Sequence, residues 1–144
     1  MLAVLLYGAT AWALTRTEEQ RLDAFEMGML RSIVGVRWDD FVRNVDIREM
    51  LSQPPVSQKL GRAMMKWFGH LERMSDERQV KRITKADMQG RRPAGRPRTR
   101  WKDVLQRDLE CSGLSLGEAA AEALDRDRWS RILRASCDYN AAGR

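Results

Sequence analysis

The sequence predicts an all-α protein with five or six helices in two groups, joined by a basic Pro/Gly/Arg-rich segment and optionally preceded by a short N-terminal strand. Three observations support this fold class. Apolar residues recur at helical spacing, residues able to cap helices precede them, and Gly or Pro follows them. With 144 residues, 43% of them hydrophobic, and five tryptophans, the chain can bury a core in one domain or in two parts that share one.

The first element is an apolar opening over residues 1–14. It has no leading Lys or Arg, and a membrane span needs about 20 apolar residues. We therefore expect a core-facing strand or short helix rather than a signal peptide or a membrane segment.

The next segment predicts an amphipathic helix. Thr15 and Glu18 fit a capping box at its start, with Thr17 and Gln20 as an overlapping alternative, and Gly35 fits its end. The side chains at helical spacing are expected to face the core: Leu22, Phe25, Met29, Leu30, Ile33 and Val34.

Two short elements follow. Asp39 and Asp40 follow a tryptophan, as in some polymerase metal sites, but two-metal catalysis needs further carboxylates on a palm that about 40 preceding residues cannot supply. We assign the pair to a turn or helix start. Asn44 is then expected to cap a short helix that Pro54 and Pro55 end.

Residues 56–71 have the clearest helical periodicity in the chain. The apolar stripe consists of Val56, Leu60, Met64, Trp67, Phe68 and Leu71. Basic side chains fall largely off this stripe, at Lys59, Arg62, Lys66 and Arg73. This helix is therefore expected to pack on one side and to present a basic side to solvent or nucleic acid. The N-terminal helical part is assigned to residues 1–74.

The most basic stretch is GRRPAGRPRTRW at residues 90–101, which we call the basic strap. Residues 81–102 hold nine basic residues against one acidic residue, Asp87, whereas the whole chain carries +6, so the remainder is slightly acidic. A concentrated positive field suits a polyanion such as nucleic acid. The alternative is that this charged run is only a solvated linker. In either case residues 75–99 are assigned to the segment that joins the two helical parts, and residues 75–89 permit a frayed helix or a short strand.

The C-terminal helical part is assigned to residues 100–144. Thr99 is expected to cap a helix that Gly113 ends, and Ser115 with Glu118 forms a second capping box. The first of these helices has an apolar stripe of Trp101, Val104, Leu105 and Leu109, and Trp129, Ile132 and Leu133 mark the last helix. Trp101 has two interpretations, a core residue or a platform for an unpaired base.

No catalytic constellation is present in the sequence. His70, the single histidine, is interpreted as a helix-surface residue, and Cys111 and Cys137 fit neither a zinc spacing nor a disulfide framework, which predicts a reduced, intracellular compartment. A phosphate loop and a nucleophile elbow are also missing. We expect no catalytic residue, metal site, cofactor, small-molecule substrate or membrane partner, and no enzyme activity from this chain alone.

Five blocks in order resemble a known family: LLYGATAW at 5–12, LTRTEEQRLDAFEMGMLRSIVGVRW at 14–38, KWFGHLERM at 66–74, GRRPAGRPRTRWKDVLQRDL at 90–109 and DRDRW at 125–129. The series resembles the C-terminal region of the reverse transcriptase polyprotein of non-LTR (LINE-type) retrotransposons. Departures from the family pattern occur at Ala9 and Ala11, where a polar or acidic residue is frequent, and at Gly28, where a basic residue is common.

The resemblance implies a thumb and post-thumb region without the endonuclease or the catalytic palm. It also implies a parent activity of target-primed reverse transcription, and an apolar N-terminal segment that packs against a polymerase core. The sequence-based hypothesis is a nuclear, nucleic-acid-binding fragment that holds template RNA, target DNA or their hybrid. The predicted contacts are basic: Arg91, Arg92, Arg96, Arg98, Arg100 and Lys102, with Lys59, Arg62 and Lys66 as second candidates.

Two alternatives stay open at this stage. The chain is compatible with an inert fragment of a decayed element, which would expose apolar surface and dissolve poorly. It is also compatible with a helical protein-interaction module in which the basic strap acts as a nuclear-import signal.

Overall fold

The computed structural model describes residues 6–86, 95 and 99–139, with side chains in the last helix described as far as residue 135. Across these residues the chain forms seven α-helices, two short 3-10 helices and no strand. The helices are α1 Arg16–Val34, α2 Asn44–Leu51, α3 Val56–Glu72, α4 Gln79–Lys85, α5 Trp101–Cys111, α6 Leu116–Leu124 and α7 Arg126–Tyr139. The all-α prediction is confirmed, with more helices than the five or six expected.

Two uncertain segments are helical where they are described. Ala9–Ala11 forms a 3-10 helix, so the optional N-terminal strand is not found in residues 6–14, and residues 1–5 lie outside the described part. Residues 79–85 form α4, which decides between the frayed helix and the short strand. The expected fraying of residues 140–144 also falls outside the described residues.

Helix α3 lies at the centre of the fold and contacts α1, α4, α5, α6, α7 and Ala9–Ala11. Its Met64, Met65 and Phe68 join a core cluster with buried side chains of α5, α6 and α7, namely Val104, Leu105, Leu109, Ala119, Ala123, Trp129 and Leu133. The N-terminal and C-terminal helical parts therefore share one apolar core through α3.

Carboxylates of α1 cap the N-terminus of α3. This helix begins after Pro55, which provides no side-chain cap. The Val56 amide donates to Glu26 Oε2 at 3.0 Å, and the Ser57 amide donates to Asp23 Oδ1 at 2.9 Å. Negative charge at a helix N-terminus satisfies free amides and interacts favourably with the helix dipole, so these two contacts fix α1 against α3.

This capping explains why the predicted core face of α1 is correct only in part, with Leu30 and Val34 packed and Phe25 and Ile33 exposed. The buried residues of α1 are Glu26, Met27 and Leu30, whereas Phe25 is 53% exposed and Ile33 is 72% exposed. Because Glu26 turns inward to cap α3, the apolar stripe that contains Phe25 and Ile33 faces outward. Leu30 alone among the predicted core residues of α1 is fully buried.

The capping predictions were confirmed where the signal is a local box. Thr15 with Glu18 caps α1, Ser115 with Glu118 caps α6, and Gly35 ends α1 in the left-handed conformation at φ 75°. Glu18 and Glu118 both have a pKa below the usual value, because the backbone amide and hydroxyl of Thr15 or Ser115 donate hydrogen bonds to them.

Two single-residue caps were wrong. Asn44 is the first residue of α2 rather than its cap, and its side-chain oxygen instead accepts a hydrogen bond from Arg31 Nη2 at 3.0 Å. Thr99 is displaced by Arg100, whose backbone N–H donates to Asp103 Oδ2 at 3.0 Å. At the start of α5 the acidic side chain of the first turn thus accepts from the backbone of the cap residue, and neither helix has a polar side-chain cap.

Candidate nucleic-acid interface

The outer side of α3 carries a line of basic side chains. Arg62 and Lys66 are both exposed, and with the exposed His70 they recur every four residues, which places them on one face of the helix. In the described part of the chain, Arg62 and Lys66 form no ion pair. Their charges are therefore available to an anionic ligand.

Lys59 has an internal partner instead. Its ammonium lies 3.0 Å from Glu26 Oε1 and 3.1 Å from Gln53 Oε1. Arg48 Nη1 lies 2.8 Å from the other oxygen of Glu26, a side chain that is 1% exposed. Because an unpaired buried carboxylate is costly, Lys59 neutralises Glu26, and we place it outside the candidate interface.

Lys81 also has an internal role, although it belongs to the basic stretch identified in the sequence. Its Nζ donates to the carbonyl oxygens of Glu72 at 2.9 Å and Met74 at 2.7 Å, so it satisfies the free carbonyls at the C-terminus of α3. It also lies 2.9 Å from Asp76 and, with Lys85, holds the pKa of that carboxyl below its usual range.

An open cleft of about 540 Å³ lies beside the basic line of α3. Helices α3 and α7 and the segment at Thr10 form its walls, which combine basic and aromatic side chains: Lys66, Trp67, His70, Arg73, Arg126 and Trp129. Of these, Lys66, His70 and Arg126 are exposed. The cleft therefore offers both cationic groups and aromatic surface to a ligand.

Trp129 forms the buried base of this cleft. It is 2% exposed, its Nε1 donates to the carbonyl oxygen of Met65 at 3.2 Å, and its ring centroid lies 5.9 Å from that of Phe68. A Cβ on Gly69 would lie 2.2 Å from Trp129 Nε1, so only glycine fits there. The KWFGH and DRDRW blocks thus contact each other through Gly69 and Trp129.

Asp125 fixes the start of α7 and so the position of Trp129. Its Oδ1 accepts hydrogen bonds from the backbone amides of Asp127 at 2.8 Å and Arg128 at 3.1 Å. These two bonds, with that of Arg128 dominant, hold the pKa of Asp125 below its usual value.

Arg73 lines the cleft but is held by the protein. Its Nη1 donates to the carbonyl oxygen of Ala123 at 2.5 Å, which ties the end of α3 to the end of α6. We therefore regard Arg73 as a structural residue of the cleft wall.

The C-terminal end of the basic strap is fixed beside the cleft. Trp101 Nε1 donates to the carbonyl oxygen of Thr10 at 2.7 Å, and Thr10 lines the cleft. Trp101 is partly buried and packs against the main core, which supports its interpretation as a core residue. Arg100 and Lys102 are exposed on either side of it, and the predicted contacts Arg91, Arg92, Arg96 and Arg98 lie outside the described residues.

Two features of this cleft were not predicted from the sequence. Trp67 was expected in the apolar stripe of α3. Among the described residues it belongs neither to the main core cluster nor to a second, smaller cluster of Met27, Leu30 and Ile47, and it lines the cleft instead. Arg126 is far from α3 in sequence, so no local pattern could associate it with Lys66. The Trp-Phe pair at residues 67–68 was the available signal, because adjacent residues cannot both lie at the centre of one helix face.

Neither a metal cluster nor a membrane helix is found in the part of the chain that the structure describes. No group of three or more His, Cys, Asp or Glu residues there could hold a metal ion. Within the same residues, every helix is too short or too polar to span a bilayer. Asp39 and Asp40 lie in the 3-10 helix Trp38–Asp40 and interact locally. Asp39 Oδ1 lies 3.4 Å from Arg37 Nε, and Asp40 Oδ2 accepts a hydrogen bond from the Arg37 backbone amide at 2.7 Å.

The fold and the cleft together define an all-α chain with a basic, aromatic-lined surface groove. The chain is similar to an uncharacterized transposon-derived protein of Caenorhabditis elegans, with 26% identity over 143 residues. The match covers 93% of this chain and 51% of the relative, so the chain spans about half the length of the curated relative it matches. The chain matches no protein-family model and no solved structure. This similarity is consistent with a transposon origin.

Proposed function

We propose that this chain binds nucleic acid and corresponds to the C-terminal, thumb and post-thumb region of a LINE-type reverse transcriptase, without the catalytic palm. In this role it holds template RNA, target DNA or their hybrid during target-primed reverse transcription. The similarity to a transposon-derived protein and the five resembling sequence blocks support the origin. The basic strap and the line of Arg62 and Lys66 support the ligand class.

The observation that carries the proposal is the hydrogen bond from Trp101 to Thr10 at 2.7 Å. Because Thr10 lines the cleft, this bond fixes the end of the basic strap beside the cleft that Lys66 also lines. Two positive segments that are distant in sequence can then contact one strand. Their charges suit phosphates rather than base edges, so we expect weak sequence specificity.

Salt-dependent binding tests the proposal. Wild type is titrated with single-stranded RNA, duplex DNA and an RNA–DNA hybrid, beside a variant with Arg91, Arg92, Arg96, Arg98 and Arg100 changed to Ala. If each arginine meets a phosphate, the slope of log K against log salt on duplex DNA flattens by about 4–5, and on a single strand by about 3–4.

The matched control removes the same formal charge elsewhere. Its five substitutions to Ala are at exposed arginines outside the basic strap and the cleft: Arg16, Arg21, Arg37, Arg43 and Arg78. The control should retain a salt slope within about one unit of wild type. Equal loss in both variants would mean that net charge alone, and not the basic strap, drives binding, and no binding by wild type would reject the proposal.

One observation favours a second role for a separate surface. The outward stripe of α1 exposes Phe25 and Ile33, and the neighbouring 3-10 helix exposes 81% of Trp38. Exposed aromatic and aliphatic side chains of this kind are typical of protein-binding faces. We propose that this stripe contacts the polymerase core implied by the resemblance, while the basic strap also serves as a nuclear-import signal.

A further inference from the structure

We propose that Trp67 and His70 form a stacking platform for an unpaired base, so that the cleft selects single-stranded over duplex nucleic acid. This inference rests on the proposed function and specifies its ligand. Trp67 is partly buried and His70 is exposed, and both line the cleft. Their ring centroids lie 5.3 Å apart at an interplanar angle of 44°, which gives the cleft an aromatic wall on α3.

Trp67 is free for this role because another tryptophan fills the core. Trp129 is 2% exposed and packs against Phe68, whereas Trp67, in the described part of the chain, is not packed against either core cluster. Burial of a large aromatic ring is the usual reason to place a tryptophan on a helix. Because Trp67 lines the cleft, the exposed part of its indole ring is available there to a flat ligand.

The charges around the platform fit the sugar-phosphate backbone of such a ligand. Lys66 on α3 and Arg126 on α7 are exposed and line the same cleft as Trp67. A volume of about 540 Å³ lies within the range of about 300–1,000 Å³ that is typical of small-molecule pockets, which is ample for a nucleobase. An aromatic platform between cations is the arrangement that single-strand binders use.

A duplex does not satisfy this geometry. Base faces inside a duplex are stacked on their neighbours, and a base enters a pocket only after it is flipped out at the expense of pairing and stacking. An unpaired base has a free face and enters without that penalty. Because every base has such a face, the platform is expected to tolerate any sequence.

The test compares strands that differ only in their bases. Wild type is titrated with an oligothymidine of about 12 nucleotides and with the same strand carrying abasic sites at its four central positions, so the phosphate number is unchanged. We expect about 5- to 150-fold tighter binding of the strand with all its bases. The intrinsic tryptophan fluorescence of the protein should also be quenched when it binds this strand.

Three variants locate the effect. Trp67→Ala should bind the two strands equally while retaining the salt-dependent binding of the abasic strand, and Trp67→Phe should keep most of the preference because it keeps an aromatic face. The matched control is Trp38→Ala, which removes an exposed tryptophan that does not line the cleft and should keep the wild-type preference. Thermal unfolding confirms that each variant is folded.

The outcomes separate the two proposals. Equal binding of both strands by wild type, a preference that survives in Trp67→Ala, or tighter binding of a duplex than of the single strand would each overturn the stacking platform and leave the proposed function standing. The two wild-type comparisons, full strand against abasic strand and single strand against duplex, test the stacking platform even if Trp67→Ala does not fold. Failure of wild type to bind single-stranded RNA, duplex DNA and the RNA–DNA hybrid would reject the proposed function itself.

Discussion

Gly69→Ala is predicted to destabilise the fold, although alanine is normally the better helix former. The added Cβ would lie 2.2 Å from Trp129 Nε1, 2.4 Å from Cδ1 and 3.0 Å from Cε2. Carbon contacts are favourable at about 3.5–4.0 Å, so the ring would have to move by more than about 1 Å. Trp129 is buried and hydrogen-bonded to Met65, so it cannot move without loosening the packing of α7 on α3.

The magnitude follows from three contributions. Overpacking costs about 1–3 kcal/mol, and loss of the indole hydrogen bond costs about 1 kcal/mol. The higher helix propensity of alanine offsets about 1 kcal/mol. We therefore expect the free energy of unfolding to fall by about 1–3 kcal/mol, measured by urea denaturation monitored by circular dichroism.

Gly28→Ala is the matched control. Gly28 lies within α1, and a Cβ built on it meets no atom within 4 Å. This variant should gain about 0.5–1 kcal/mol. If Gly69→Ala is as stable as wild type or gains stability like Gly28→Ala, the contact between α3 and α7 described here is wrong.

Three further predictions concern other parts of the fold. Glu26→Gln should lower the unfolding free energy by about 3 kcal/mol, because it leaves two cations at a buried site without their carboxylate; the exposed Glu49→Gln should have little effect, and both are measured by denaturation. The lowered pKa of Asp125 stabilises the fold above the usual carboxyl pKa and ceases to do so as pH falls through the lowered value. Below about pH 4, wild type should therefore lose melting temperature faster than Asp125→Asn. Phe25→Glu with Ile33→Glu should raise solubility and leave the melting temperature nearly unchanged, because both side chains are exposed.

Each of these predictions has an outcome that would contradict it. Equal effects of Glu26→Gln and Glu49→Gln would show that the buried ion pairs do not support α3. Parallel acid melting curves would show that the Asp125 cap carries no pH dependence. A large drop in melting temperature for the charged α1 variant would mean that its outer stripe is packed and is not a free face.

The local features of the fold could be predicted from sequence. Thr15 with Glu18 and Ser115 with Glu118 are boxes of four residues, and each holds because its partners are close in the chain. The central position of α3 was also indicated by its periodicity. Five of its six predicted stripe residues are buried, and Trp67 is the exception.

Tertiary partners could not be predicted in the same way. Glu26 faces the core because it caps α3 from a distance in sequence, and a periodicity argument assigns a carboxylate to the solvent side. The same applies to Lys59, which pairs with the buried Glu26, and to Lys81, whose ammonium binds the carbonyl oxygens of Glu72 and Met74. The cleft itself joins α3 to Arg126 of α7, and these helices meet through tertiary contacts such as the packing of Gly69 on Trp129, which no local pattern shows.

The most direct test of the central claim is to map where nucleic acid contacts the chain. A single strand with photoreactive thiouracil is cross-linked to wild-type protein, and the linked peptides are identified by mass spectrometry. The account predicts links in the basic strap, around Trp67 and His70 on α3, and near Arg126 on α7. Links confined to α1, α2 or the Trp38–Asp40 helix would contradict it, because these elements lie outside both the basic strap and the cleft.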